Sequence, residues 1–381
     1  MKSLRMPESQ LLLGIINDPP PFMFKNVDIR LFLELLKRQD VEPFVFYRIS
    51  SHVPEIEKEA YETLKLKYFT NLCSNKIFWG EFLKISEAFK QNKIPLLPLK
   101  GIDVLARFYP CSDQRRLQDI DVLVNEGDLE RAEHIFSSLG YQKTLEGLRQ
   151  EYWQEHQCHI PFSKDSIKVD VHFGLDFKRK RRVLLPRLWD RTIAVTAGNA
   201  KVLLFSPEDA LFSFALHWRR FGNVFSLKQV MDVARIIRES PEFDWSYILK
   251  ECERGRMKAT TYFILMQAHL FCGTKIPREV LEKLNIPFWQ KALIKRSLLK
   301  HTFETDSPFK MLYLKVHFLL YDNILDAVLY LIHIPYEQFC KFYKLKPYTR
   351  EADLRYRWRI PYMAFSLLRR KSRPPLSSRG S

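Results

Sequence analysis

Residues Asp119-Ile120-Asp121-Val122-Leu123-Val124 alternate carboxylates with apolar side chains, and no other stretch constrains the fold as much. With Leu117-Gln118 ahead of it, this run predicts a short β-strand. Ile120, Val122 and Val124 lie on one face, and Asp119 and Asp121 share the other. Two carboxylates side by side repel each other and stabilise little in an apolar strand. A bound cation relieves that repulsion. Octahedral Mg²⁺ is typically held by one or two carboxylates together with substrate phosphates. The pair therefore points to Mg²⁺ and phosphoryl chemistry. The alternative is a strand end with two solvated aspartates, which Asp-x-Asp spacing alone leaves open.

The neighbouring stretches add to the pair. Upstream, Ile94-Pro95-Leu96-Leu97-Pro98-Leu99 is an apolar run leading into Lys100-Gly101. Its two prolines suit an edge strand or an irregular start. Ile102, Leu105, Ala106 and Tyr109 then recur at helical spacing until Pro110. The unit reads strand, Lys-Gly, helix. Glycine at such a turn lets backbone N–H groups approach a phosphate, and the helix N-terminus favours the anion. Downstream, Leu129 to Leu139 reads as an amphipathic helix ended by Gly140. Two strands are expected over His156–Phe162 and Ile167–Phe173, joined by the turn Ser163-Lys164-Asp165-Ser166. In the second, Lys168, Asp170 and His172 share a face. Placed beside the Asp119/Asp121 strand, Asp170 supplies a third carboxylate.

Both flanks read as helical. Ile29 to Leu36 is one apolar-periodic segment, and a longer one runs from about Glu55 to Gln91. In the latter, Tyr61, Leu64, Tyr68, Leu72, Phe78, Phe82, Ile85 and Phe89 form one stripe of core residues. Ser206-Pro207-Glu208-Asp209 is a helix start, with Ser206 as N-cap and Pro207 at the first helical position. Helices follow over Leu227–Ile237, Trp245–Phe271, Arg278–Leu284 and Phe309–Phe342. The chain ends in aromatics mixed with arginines from Arg355 to Lys371, and Ser377–Ser381 is expected to be disordered.

The chain has 381 residues, 46% of them hydrophobic, which is enough for an extensive core in two or three domains. Lysine and arginine number 61 against 44 acidic residues, a formal charge of +17. That excess favours a polyanionic partner, either nucleic acid, a phosphorylated substrate or an anionic membrane surface; the alternative is a basic surface that aids solubility. Cys73, Cys111, Cys158, Cys252, Cys272 and Cys340 are scattered without Cys-x-x-Cys, so no zinc or disulfide framework is indicated. No signal peptide is recognised at the N-terminus, and the simplest location is the cytoplasm. Lys315, His317, Asp322 and Asp326 interrupt the apolar run Met311–Ile334 and argue against a membrane span.

Lys-Gly, helix, arginine, Asp-x-Asp strand, helix, hairpin and Val-Asp-Val-His together resemble the small nucleotidyltransferase domain of the DNA polymerase β-like superfamily. The closer resemblance is to its uncharacterised bacterial nucleotidyltransferase family. It is carried by Lys100-Gly101, Arg115 four residues before Asp119, Asp119-Ile120-Asp121-Val122-Leu123-Val124, Gly140-Tyr141 and Val169-Asp170-Val171-His172. His217 and the Met-Asp-Val-Ala-Arg helix around Asp232 extend it into the C-terminal flank. Three departures stand out. Ile102-Asp103 replaces the serine or glycine that commonly follows the first glycine, Gln118 stands where a small residue often precedes the first aspartate, and Pro98 lies in the first strand.

The resemblance implies an α+β fold: a small mixed β-sheet nucleotidyltransferase domain at 93–200 between an N-terminal helical region, 1–92, and a C-terminal helical region with a basic tail, 201–381. It implies that Asp119, Asp121 and Asp170 hold Mg²⁺, two ions in all, on an NTP substrate, and that Asp170 helps deprotonate the attacking hydroxyl. Lys100, Gly101, Arg115 and His172 would meet the nucleotide and its phosphates. His159, His217 and Asp232 are expected to make interhelical or inter-domain polar contacts. The activity implied is transfer of a nucleoside monophosphate, AMP first among them, to a small molecule, sugar, protein side chain or RNA end. The competing function is a non-catalytic nucleic-acid or membrane-surface binding protein, motivated by the charge and by the Arg355–Lys371 tail.

Overall fold

The computed structural model describes residues 6–50, 56–145, 148–177, 188–197, 200–221, 226–300 and 316–363. Four helices come first: α1 (Pro7–Asn17), α2 (Ile29–Gln39), α3 (Glu42–Ser50) and the long α4 (Lys58–Gln91). Asp28 caps α2 by accepting from the N–H groups of Arg30 and Leu31. Asn92 closes α4, its N–H and side-chain amide both reaching Ala88 O.

The sheet follows as β1 (Leu97–Leu99), α5 (Lys100–Phe108), β2 (Ile120–Leu123), α6 (Leu129–Ser138), β3 (Gln142–Lys143), α7 (Gln150–His156), β4 (His159–Lys164) and β5 (Ile167–His172). Its strand order is β1-β2-β5-β4-β3. Only β2 and β5 run parallel; the other neighbours are antiparallel. The mixed sheet in an α+β chain is the fold class expected, and β1 takes the edge that its prolines suit. Residues 150–156 depart from expectation: they form α7, so the first strand of the hairpin begins at His159 and not at His156.

The two faces of the sheet differ in kind. Ile120, Val122, Ile160, Phe162, Val169 and Val171 are buried on one face. Phe162 stacks on Phe136 of α6 with ring centroids 5.0 Å apart, and Phe136 meets Phe89 of α4 at 5.5 Å. This face anchors the sheet to both helices, which leaves the other face for polar groups.

A hairpin of β6 (Ile193–Ala197) and β7 (Ala200–Leu204) precedes the C-terminal helices. These are α8 (Pro207–Phe221), α9 (Leu227–Arg238), α10 (Trp245–Arg254), α11 (Lys258–Cys272), α12 (Arg278–Lys283), α13 (Phe288–Lys300), α14 (Ile324–Ile332), α15 (Tyr336–Tyr343) and α16 (Arg350–Arg357). At α8 the Ser206 hydroxyl accepts from Asp209 N–H and donates to the Asp209 carboxylate, closing the expected cap. The single helix expected over Trp245–Phe271 is two, parted at Gly255-Arg256, where Arg256 has φ +50°. The helix expected over Phe309–Phe342 begins outside the described residues, and within them it is broken between α14 and α15. The basic tail beyond residue 363, with its expected disorder at Ser377–Ser381, also lies outside them. One buried core runs from Leu12 to Tyr330, and a small second one gathers around Phe339, Cys340 and Ala352.

Candidate active site

Strand register assembles the polar face. Asp121 of β2 pairs with Asp170 of β5, and Leu123 with His172. Antiparallel pairing on the outer side sets His159 of β4 opposite His172, and on the inner side sets Leu99 of β1 opposite Asp121. Paired residues in neighbouring strands share a face. Asp121, Asp170, His159 and His172 therefore face one way, opposite the valines that anchor the sheet.

The turn from β1 into α5 brings a cation to this face. Lys100 adopts φ +46°, a left-handed conformation uncommon for a residue with a side chain. Its Nζ donates to Asp121 Oδ1 at 2.6 Å. His172 Nε2 lies 2.9 Å from the same oxygen. Asp121 is only 4% exposed. Burial by itself would raise its carboxyl pKa. Lys100 and the hydrogen bond from His172 outweigh burial and hold the pKa well below the usual carboxylate range.

Asp119, one residue ahead of β2, has the opposite fate. The charge of Asp121, and after it burial, push its carboxyl up to about 6 despite Lys100, Lys228 and Arg115 nearby. Its folded-state pKa thus exceeds the ordinary 3.8, so its contribution to stability is present below pH 3.8 and is lost as pH rises through 6. In chelator at pH 7.5, Asp119→Asn should be more stable than the parent by roughly 1–3 kcal/mol, and the gain should shrink as pH falls from 6 towards 4. Thermal melts across that range test this; an equal or lower midpoint for the variant at pH 7.5 refutes it.

Asp170 is the more open partner, with its side chain 30% exposed and its Oδ2 3.8 Å from His159 Nε2. One ligand atom each from Asp121, Asp170 and His172 lie within 4.8 Å of one another, close enough to meet a single ion. Cys158, His159 and His172 form a second such group, and His172 belongs to both.

Two more of the residues expected at the phosphates, Arg115 and Gly101, are packed within the protein. Arg115 places Nε on Asp232 Oδ1 at 2.8 Å and Nη2 on Oδ2 at 2.9 Å, a two-pronged pair buried between the sheet region and α9. Burial works against the Arg115 charge, but Asp232 outweighs it and raises the guanidinium pKa. Tyr109 donates to the same Asp232 oxygen at 2.9 Å. Asp232 is thus the inter-region contact expected of it, with Arg115 as its partner. Gly101 is buried beneath that arginine. A Cβ there would lie 2.9 Å from Leu117 Cδ2 and 3.0 Å from Arg115 Nη1. Gly101→Ala should therefore cost about 1–3 kcal/mol by urea unfolding, because the buried Leu117 side chain and a guanidinium fixed by Asp232 must both shift. A loss under about 0.5 kcal/mol would mean that the site yields freely.

Reading α4 as an apolar stripe missed two asparagines that shape the site. Asn75 donates to Arg115 O at 2.7 Å and to Ser112 O, and accepts from Leu117 N–H at 3.0 Å. Asn71 donates to Asp113 O at 2.8 Å. Together they fasten the loop that delivers Asp119 and Asp121. The only sequence signal was a pair of polar residues four apart on an otherwise apolar helix face. His217 meets Gln229 of α9 at 3.3 Å, an interhelical contact as expected.

A family model described as an uncharacterised nucleotidyltransferase matches residues 25–273. Among solved structures, the chain is similar to the antibiotic-resistance factor ANT(2'')-Ia, a solution structure described for its substrate-regulated conformation dynamics. Identity is 13% and the TM-score 0.35, over 51% of this chain and 97% of that one. No curated protein sequence matches the chain.

Proposed function

Since the chain belongs to the uncharacterised nucleotidyltransferase family, we propose that it moves a nucleoside monophosphate, AMP in the first instance, from an NTP to a hydroxyl or phosphate acceptor. The reading is carried by the register that sets Asp121 opposite Asp170, with Asp119 just before the same strand. Asp119, Asp121 and Asp170 would hold Mg²⁺, two ions in the full site. Carboxylate oxygens suit so hard a cation, and the raised pKa of Asp119 marks a site short of positive charge. Bound there, Mg²⁺ supplies the charge that polarises the α-phosphate and steadies the departing pyrophosphate. Asp170, the more exposed carboxylate, receives the proton of the attacking hydroxyl. The hydroxyl oxygen bonds to the α-phosphorus as the bond to the pyrophosphate oxygen breaks. Lys100 and Gly101 stand at the start of α5 to receive the triphosphate, and His172 holds the orientation of Asp121.

The acceptor is a small molecule, a sugar, a protein side chain or an RNA end. The test supplies each NTP labelled at the α-phosphate, with Mg²⁺ and a cell extract. The label should reach one acceptor class and vanish in the Asp119→Ala/Asp121→Ala double variant. Undiminished transfer by that variant, or an unlabelled extract with every NTP, would defeat the reading.

A second reading, binding to an anionic surface, is favoured by α13 more than by the described part of the Arg355–Lys371 stretch. Arg355 packs on Tyr362, and Arg359 is bonded to Ile332 O and lies over Tyr356. On α13, by contrast, Phe288 is 86% and Trp289 55% exposed, near the exposed Lys295 and Arg296, and the helix carries no acidic residue. Aromatics beside cations on an open helix face suit an anionic bilayer. No helix among the described residues is long and apolar enough to cross a membrane. Sedimentation with vesicles containing phosphatidylglycerol should be lost in Phe288→Ala/Trp289→Ala; equal sedimentation of parent and variant removes this reading.

A further inference from the structure

We propose that Lys100 is a tethered counter-cation: its ammonium takes the place of a divalent cation at Asp121 and leaves for the triphosphate when metal and nucleotide arrive together. This rests on the reading of Asp119, Asp121 and Asp170 as the metal-binding carboxylates, and it assigns Lys100 a regulatory part in that site.

The geometry of one oxygen carries the inference. Asp121 Oδ1 already receives Lys100 Nζ at 2.6 Å and His172 Nε2 at 2.9 Å. The Lys100 side chain is 14% exposed and that of Asp121 4%, so the pair sits largely out of water, where screening is weak. A cation approaching alone therefore meets a carboxylate whose charge is already answered. The other cations near Asp119 have partners of their own: Lys228 pairs with Asp40 and Arg115 with Asp232. Lys100 also sits at the first position of α5, where a phosphate is favoured, and its stem spans the distance from that turn to Asp121.

The backbone supports the same role. At φ +46°, Lys100 occupies a conformation in which glycine is free of strain and lysine is not. Such strain is held in place by the surrounding structure and gathers at switching sites. Here the turn aims an ammonium at a buried carboxylate. The exchange then has a simple logic. Metal alone must displace Lys100 with nothing to receive it. Metal with a triphosphate offers the ammonium a new anion, so the two ligands bind cooperatively.

Mn²⁺ serves as a paramagnetic stand-in for Mg²⁺, with binding followed by electron spin resonance in the absence of nucleotide. Lys100→Met and Lys100→Gly should bind Mn²⁺ at least about tenfold more tightly than the parent, since each removes the competing charge. Lys100→Gly also suits the backbone of the turn and guards against a variant that fails to fold. With a non-hydrolysable ATP analogue and Mn²⁺, both variants should hold the nucleotide less tightly than the parent, and the cooperativity between metal and nucleotide should fall. Unchanged or weaker Mn²⁺ binding in both variants, while Asp121→Asn has lost it, overturns the role of Lys100 and leaves the metal site standing. Parent-like Mn²⁺ binding by Asp121→Asn overturns the metal site itself, and this inference with it.

Discussion

Asp121→Asn is expected to lower Mg²⁺-dependent pyrophosphate release by about 10³-fold or more, with little change in fold. The size follows from what the residue does. Its pKa is held well below the usual carboxylate range by Lys100 and His172, and its charge is the main cause of the raised pKa of Asp119. Losing one fixed, preorganised charge from a water-poor site typically costs 10²–10³-fold, and a metal-holding group costs more because the ion goes with it. Asparagine matches aspartate in shape and keeps an oxygen for Lys100 and His172, so a loss of rate is separable from a loss of structure. Asp170→Asn should lose rate as well, and its residual activity should be flatter with pH because the proton acceptor is gone. Initial rates by pyrophosphate assay, with melting midpoints alongside, decide the matter. An Asp121→Asn enzyme within tenfold of the parent would remove Asp121 from the reaction.

Why those aspartates were legible in the sequence while their supports were not is a matter of range. β2 and β5 show themselves because a half-polar strand repeats every two residues: Ile120 and Val122, then Val169 and Val171, mark the buried face and leave Asp121 and Asp170 on the other. The Ser206-Pro207 cap and the Ser163–Ser166 turn are equally local. The side-by-side placement of β2 and β5 is a different kind of fact. They are joined by α6, β3, α7 and β4, and nothing in the sequence between them states their register. The Arg115–Asp232 pair spans 117 residues, and its two halves look like any surface arginine and any helical aspartate until α9 is packed in place. Asn71 and Asn75 hide inside a stripe of aromatics for the same reason. The hairpin of β6 and β7 was missed because Ile193-Ala194-Val195-Thr196-Ala197 is short and half small residues, too weak to register as a strand by pattern. At residue 156, helix and strand patterns overlap, and Trp153 packing on His159 rewards the helix.

Asp232→Ala should destabilise the protein by about 3–5 kcal/mol, the largest loss expected from any single change at this site. Asp232 is wholly buried and Arg115 is 7% exposed. Removing the carboxylate strands a guanidinium in low dielectric with two N–H donors unmet, and it leaves the buried Tyr109 hydroxyl without its acceptor. The Arg115 carbonyl is held by Asn75, and the chain reaches Asp119 four residues later, so any shift of Arg115 is carried towards the metal-binding carboxylates. Arg115→Met/Asp232→Leu, which removes both charges and fills the space, should recover most of the loss, because a buried pair is costly mainly when broken on one side. Urea unfolding of the two variants measures both terms. The same pair separates the two roles open to Arg115. If it is structural, Arg115→Met loses several kcal/mol of stability while the KM for NTP stays near that of the parent when assayed well below the melting point. A variant of undiminished stability whose KM for NTP rises tenfold would instead return Arg115 to the phosphates, where the sequence first placed it.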